Sequence, residues 1–194
     1  MTTTAPESLP RSGNPLRAIL RRWPTAAGIA FAAFMAVDLA AGADLAPILA
    51  ASGLVYLGAA ALGKRSAAWP MFLVTFVIIG AAGFTPYESY ATWSLIGLAV
   101  LMTVYGLLRG AARPAEGLPL QAIAMAAFGG IAATVLLVGG DLGAYLVAAG
   151  LLGHAAWDVH HHRTERVVAR SMAEFCFFLD TLIAIAMVVV ALQN

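Results

Sequence analysis

Apolar residues fall along this chain in seven long runs, at 24–41, 45–62, 69–83, 90–108, 118–138, 142–159 and 172–192. The breaks carry turn and stop signals: Gly-Lys-Arg at 63–65, Thr85-Pro86, Arg113-Pro114 and Gly139-Gly140. Most runs approach the ~20 residues that cross ~30 Å of hydrocarbon as a helix, and the run from Trp69 is the shortest. Inside lipid every backbone N–H and C=O must be satisfied within its own segment, so the pattern predicts helices rather than open strands. The expectation is an all-α, polytopic membrane bundle of seven transmembrane helices. A polar tail at 1–22 precedes a single membrane domain at 23–194.

Composition narrows the class further. The chain is 61% hydrophobic and 11% charged, whereas a soluble domain carries roughly a quarter charged residues. So few charges cannot cover a water-facing surface, which leaves lipid as the solvent and membrane lipids as the expected partners. The net charge of +1 gives no basic face for nucleic acid. A lone cysteine, Cys176, excludes an internal disulfide framework. The chain is too short for a soluble catalytic domain beside seven spans, so any function sits in the helices or their connections.

The cations set the orientation. Arg11, Arg17, Arg21 and Arg22 precede the first run, and Lys64 and Arg65 follow the second. Arg109 and Arg113 follow the fourth; Arg163, Arg166 and Arg170 follow the sixth. Seven crossings put all of them on one side, which the positive-inside rule makes cytoplasmic, giving N-in and C-out in a cell inner (plasma) membrane. Trp23, Trp69 and Trp157 then fall near inner ends, and Tyr87, Tyr90 and Trp93 near an outer end. Arginines, an apolar run and small residues at 40–43 also fit a cleaved leader, against which Asp38 inside the run argues.

Two weaker patterns follow. Gly42-Ala43-Asp44-Leu45 before Ala51-Ser52-Gly53-Leu54 recurs as Gly139-Gly140-Asp141-Leu142 before Ala148-Ala149-Gly150-Leu151. That suggests parallel half-repeats at 24–84 and 118–192 joined by a linker helix at 90–108, a transporter-like arrangement. Asp44 and Asp141 read most simply as helix N-caps. The Ala- and Gly-rich faces also suit close helix packing and a homo-oligomer.

The chemistry concentrates in the last quarter. His154, Asp158 and His161 lie within about 60° of one another on a helix, with His162 flanking the same stripe. On the next helix Cys176 and Asp180 are four apart and share a face. Two adjacent antiparallel helices therefore present His154, Asp158, His161, Cys176 and Asp180 to one cavity. Imidazole and carboxylate suit a divalent metal (zinc, iron or manganese), and a thiolate would tilt the choice to zinc. Asp180 is the candidate general base. The alternatives are a His154–Asp180 pairing that ties two helices together, or a proton relay in which Asp38 is a further station.

His154, Trp157, Asp158, His161 and His162, followed by Cys176 and Asp180, resemble the shared pattern of a family of small uncharacterised bacterial integral-membrane proteins. That pattern is H-x-x-W-D-x-x-H-H near the end of one helix and C-x-x-x-D in the next. The match covers the C-terminal quarter. It implies a site at these residues and carries no activity with it. A weaker likeness is to seven-helix membrane hydrolases that hold zinc with His and Asp, although the His spacing differs and no matching serine stands out. Four histidines are too few for the histidine-rich di-iron centre of membrane desaturases, no C-x-x-C-H attaches haem, and the last run has no retinal-binding lysine. Three readings remain: a metal-dependent enzyme on a lipid or apolar substrate, a small cation- or proton-coupled transporter, and a structural protein.

Overall fold

The computed structural model describes residues 21–40, 45–87 and 89–193, with the side chains of 38–40 left out. Among the described residues every regular element is helical. They are α1 (Trp23–Ala40), α2 (Ala46–Leu62), α3 (Ala68–Ala82), α4 (Ser89–Leu108), α5 (Leu118–Val138), α6 (Gly140–Thr164) and α7 (Arg170–Ala191), with a 3-10 turn at Arg65–Ala67 before α3. Five of these segments are long and apolar enough to cross a membrane: Arg65–Ala82, which adds the turn to α3, and α4 to α7. Trp23–Val37 of α1 and the whole of α2 are apolar but shorter. Asp38 falls within α1 but its side chain lies outside the described residues, as do Asp44 and the tail 1–20.

α2 is the centre of the bundle. Most of its residues are buried, on every side of the helix, and α3, α4, α5 and α6 all pack against it. A 17-residue helix spans about 26 Å, short of the hydrocarbon thickness. Because α2 touches protein rather than lipid, that thickness does not set its length. Its small residues let neighbours come close: a Cβ on Gly53 would meet Met125, and one on Gly58 would meet Met71. The outer helices show the reverse pattern. Leu73, Val77, Val100, Leu101, Ile123 and Leu137 are exposed, a surface that water does not tolerate and lipid does.

Successive helices run in opposite directions. The rings of Trp23 and Trp69 stand 5.2 Å apart at the starts of α1 and α3, and Trp69 Nε1 donates to Ser171 Oγ at the start of α7, 3.1 Å away. Arg109, after α4, donates to the Leu62 carbonyl at the end of α2 (3.2 Å). Arg65 donates to the Glu165 carbonyl after α6 (2.6 Å). These contacts gather the described cations at one end of the bundle. Glu165 sits there in the left-handed region, φ 49°, and takes Arg170 at 2.5 Å.

α1 lies chiefly along α7, and α6 lies along α7 on another side. The approach of α1 is close enough to require glycine: a Cβ on Gly28 would stand 2.6 Å from the Phe175 carbonyl oxygen, an atom of the α7 backbone. At the other end of the molecule Gly139, with φ 57° and ψ −168°, reverses the chain between α5 and α6, a conformation open essentially to glycine alone. The structure corrects one expectation here. Asp141 is not the N-cap of α6; Gly139 is, and Asp141 lies inside the first turn with no side-chain cap bond. A carboxylate there still meets the positive end of the helix dipole. The apolar run ending at 159 also understates α6, which continues in helical form through the three histidines to Thr164.

Candidate metal centre

Three helices supply the site. α6 contributes His154 and Asp158, one turn apart, α7 contributes Asp180, and α2 contributes Ser52 and Tyr56, again one turn apart. The side chains of His154, Asp158 and Asp180 are fully buried. His154 Nδ1 lies 2.8 Å from Asp180 Oδ2 and 3.5 Å from Asp158 Oδ2. One ligand atom from each of the three stands within 4.8 Å of the others, a group that could hold a metal ion. Donor atoms about 2.1 Å from a tetrahedral ion stand about 3.4 Å apart. The His154–Asp158 spacing already has that value, and the His154–Asp180 pair would open by about half an ångström.

The carboxylates have further partners on α2. Tyr56 donates its phenol proton to Asp158 Oδ1, and Ser52 Oγ donates to Asp180 Oδ1 at 3.4 Å. The Tyr56 ring stands edge-on to both His154 (5.0 Å between centroids) and His161 (4.9 Å), and Phe128 of α5 closes on His154 at 5.2 Å. Two buried atoms of the cluster remain without a hydrogen-bond partner: His154 Nε2 and Asp158 Oδ2. No Lys or Arg forms an ion pair with either aspartate among the described residues.

His161 and Cys176 stand outside that close group of ligand atoms. His161 Nδ1 lies 3.1 Å from the Trp157 carbonyl, which only accepts, so this nitrogen carries the proton. Its Nε2 lies 3.2 Å from Gln121 Nε2, which must then donate to it. Gln121 Oε1 in turn accepts from Trp157 Nε1 at 3.3 Å. Both nitrogens of His161 are therefore engaged, and its lone pair is not free for a metal. It also stands seven residues, about 10.5 Å of helix rise, from His154. The thiol of Cys176 is buried 3.6 Å from Met172 Sδ. The stripe on α6 thus divides into a carboxylate-bearing half and an amide-bearing half, with Tyr56 between them.

His162 has another place. With Asp158, Arg22, Arg163, Phe177 and Phe178 it lines a cavity of about 290 Å³ between α6, α7 and the start of α1.

Ser52, Tyr56 and Gln121 complete the site, and the spacing on α6 and α7 does not point to them. Each still left a trace in the sequence. A Tyr hydroxyl or a Gln amide in a helix otherwise almost wholly apolar needs a partner, and Ser52 and Tyr56 are four apart, on one face. No family model, no curated protein and no solved structure matches the chain.

Proposed function

We propose that this protein is a seven-span membrane protein, its basic end in the cytoplasm, that binds a divalent metal ion at His154, Asp158 and Asp180 and acts on a lipid or other apolar substrate. The observation that carries the reading is a pair of fully buried carboxylates with too few partners. Two carboxylates share one imidazole with no surface exposure, and Asp158 Oδ2 has no hydrogen-bond partner. Buried acidic groups of this kind need either a cation or protonation. Imidazole and carboxylate together are ligands suited to zinc, iron or manganese. The seven-span topology is supported by the strict alternation of helix direction, and the cytoplasmic placement by the cations gathered at one end. The likeness of the His154–Asp180 stretch to small bacterial membrane proteins fits the same reading.

An ion held by these residues would supply Lewis-acid polarisation and water activation. Asp180, steadied by Ser52, would complete the ligand set with His154 and Asp158. Asp158, steadied by Tyr56, is the group nearest the lateral cavity.

A second reading draws on the direct 2.8 Å contact of His154 with Asp180. In it the pair, with Ser52 and Tyr56, clasps three helices together or passes a proton, and no ion is bound. The half-repeat transporter belongs with this reading. It draws less support, because α1 lies along α7 while its counterpart in the repeat, α5, packs on α2, α4 and α6.

Metal analysis decides between them. Protein purified in mild detergent without a histidine tag is analysed by mass spectrometry beside His154→Ala and Asp180→Asn. Near-stoichiometric zinc, iron or manganese, lost in both folded variants, is the expected result. A folded wild type that takes up none of these ions on reconstitution leaves the clasp.

A further inference from the structure

The cavity beside Asp158 has two kinds of wall. At its outer rim stand Arg22 at the start of α1 and His162 and Arg163 at the end of α6; deeper, Phe177 and Phe178 of α7 form an apolar side. Asp158, fully buried and with one oxygen unpartnered, forms its inner end. Glu174 also lines it, but that carboxylate is occupied: Thr25 donates to it and Arg22 stands 3.7 Å away. Arg163 makes no ion pair among the described residues.

We propose that this cavity receives a phosphate-bearing lipid from the leaflet at the basic end, with its phosphate between Arg22 and Arg163 and its acyl chains along Phe177 and Phe178. The assignment names the substrate class for the metal centre and in that sense rests on the function proposed above, although the binding itself needs no metal. Arg163, without an ion pair among the described residues, and the exposed Arg22, held only loosely by Glu174 at 3.7 Å, offer the paired N–H donors that phosphate oxygens accept from. The aromatic wall selects a lipid over free phosphate, because an inorganic anion gains nothing from Phe177 and Phe178.

The test is lipid retention, measured by native mass spectrometry on the detergent-purified full chain with metal content read in parallel. Phosphatidic acid or phosphatidylglycerol is offered against diacylglycerol of the same chains. Wild type should retain the phospholipid in preference to diacylglycerol. Arg22→Ala with Arg163→Ala should lose that preference, about fivefold for each arginine. Arg109→Ala with Arg113→Ala, the same charge change outside this cavity, should keep it. Arg22→Lys with Arg163→Lys should restore most of it, which separates lost charge from lost folding. Equal loss in the two alanine pairs would reduce the effect to general surface charge and overturn the proposal. Displacement of the lipid by millimolar inorganic phosphate or glycerol phosphate would overturn the lipid assignment in favour of a soluble anion. A preparation that binds the phospholipid but no metal would sink the metal centre and leave the lipid site standing.

Discussion

Tyr56 of α2 donates its phenol proton to Asp158 of α6, across 102 residues of sequence. Among the described residues no other group hydrogen-bonds that carboxylate, since His154 stands at 3.5 Å and the second oxygen has no partner. The side chain is long enough to bridge α2 and α6, and its ring separates His154 from His161.

Tyr56→Phe keeps the ring and removes the donor. The buried carboxylate oxygen is left unsatisfied, which costs about 1–3 kcal/mol. The expected outcome is a lower melting temperature in detergent and weaker metal retention with the fold preserved. Unchanged stability and metal content would show that the bond contributes nothing.

His161→Phe tests the division of the α6 stripe. It leaves Gln121 without its acceptor, and a loss of about 1–3 kcal/mol is expected for the stranded amide. Metal content should stay at the wild-type level, because His161 offers no free lone pair. Loss of metal in a folded His161→Phe protein would place His161 among the ligands.

Gly28→Ala adds a Cβ 2.6 Å from the Phe175 carbonyl oxygen. Backbone cannot yield as a flexible side chain does, so α1 must move off α7. A destabilisation of about 1–3 kcal/mol is expected, read as a lower melting temperature. Cysteine accessibility at 176 should rise as the two helices part. A wild-type melting curve would show that the packing is looser than the geometry requires.

Metal should stabilise the folded protein by mass action. At one hundred times its dissociation constant a ligand adds about 2.7 kcal/mol. Stripping with a chelator should lower the melting temperature, and the matching ion should restore it in wild type but not in Asp180→Asn. Protons compete with the ion for imidazole and carboxylate, so the stabilisation should shrink as the solution is made acidic. An equal effect of the ion on wild type and Asp180→Asn would assign it to the surface.

Much of this was legible in the sequence, for physical reasons that differ from residue to residue. Helix positions followed from hydropathy, because a span must be apolar along its whole length; the ends of six of the seven runs fall within about two residues of the helices. The end of α6 was missed because a helix continues into water without staying apolar, and His160, His161 and His162 read as the end of the run. His154, Asp158 and Asp180 were found because ionisable groups inside a span are costly and rare. Local periodicity could not separate His161 from them: all three residues on α6 share a face, and what divides them is Gln121 and Tyr56 on other helices. Nor could it identify α2 as the centre. A helix surrounded by protein and one surrounded by lipid are equally apolar, and the difference is only that small residues such as Gly53 and Gly58 meet Met125 and Met71.

The burial of α2 also has a consequence in time. On a chain made from its N-terminus, Ser52 and Tyr56 are synthesised 128 and 102 residues before the aspartates they bond. Until α6 and α7 arrive, both hydroxyls must be satisfied by other donors or acceptors, in the translocation machinery, in water or in a passing helix. The central helix of the finished bundle is therefore among the first made and the last to reach its final surroundings, and the site comes into existence only when the seventh helix docks.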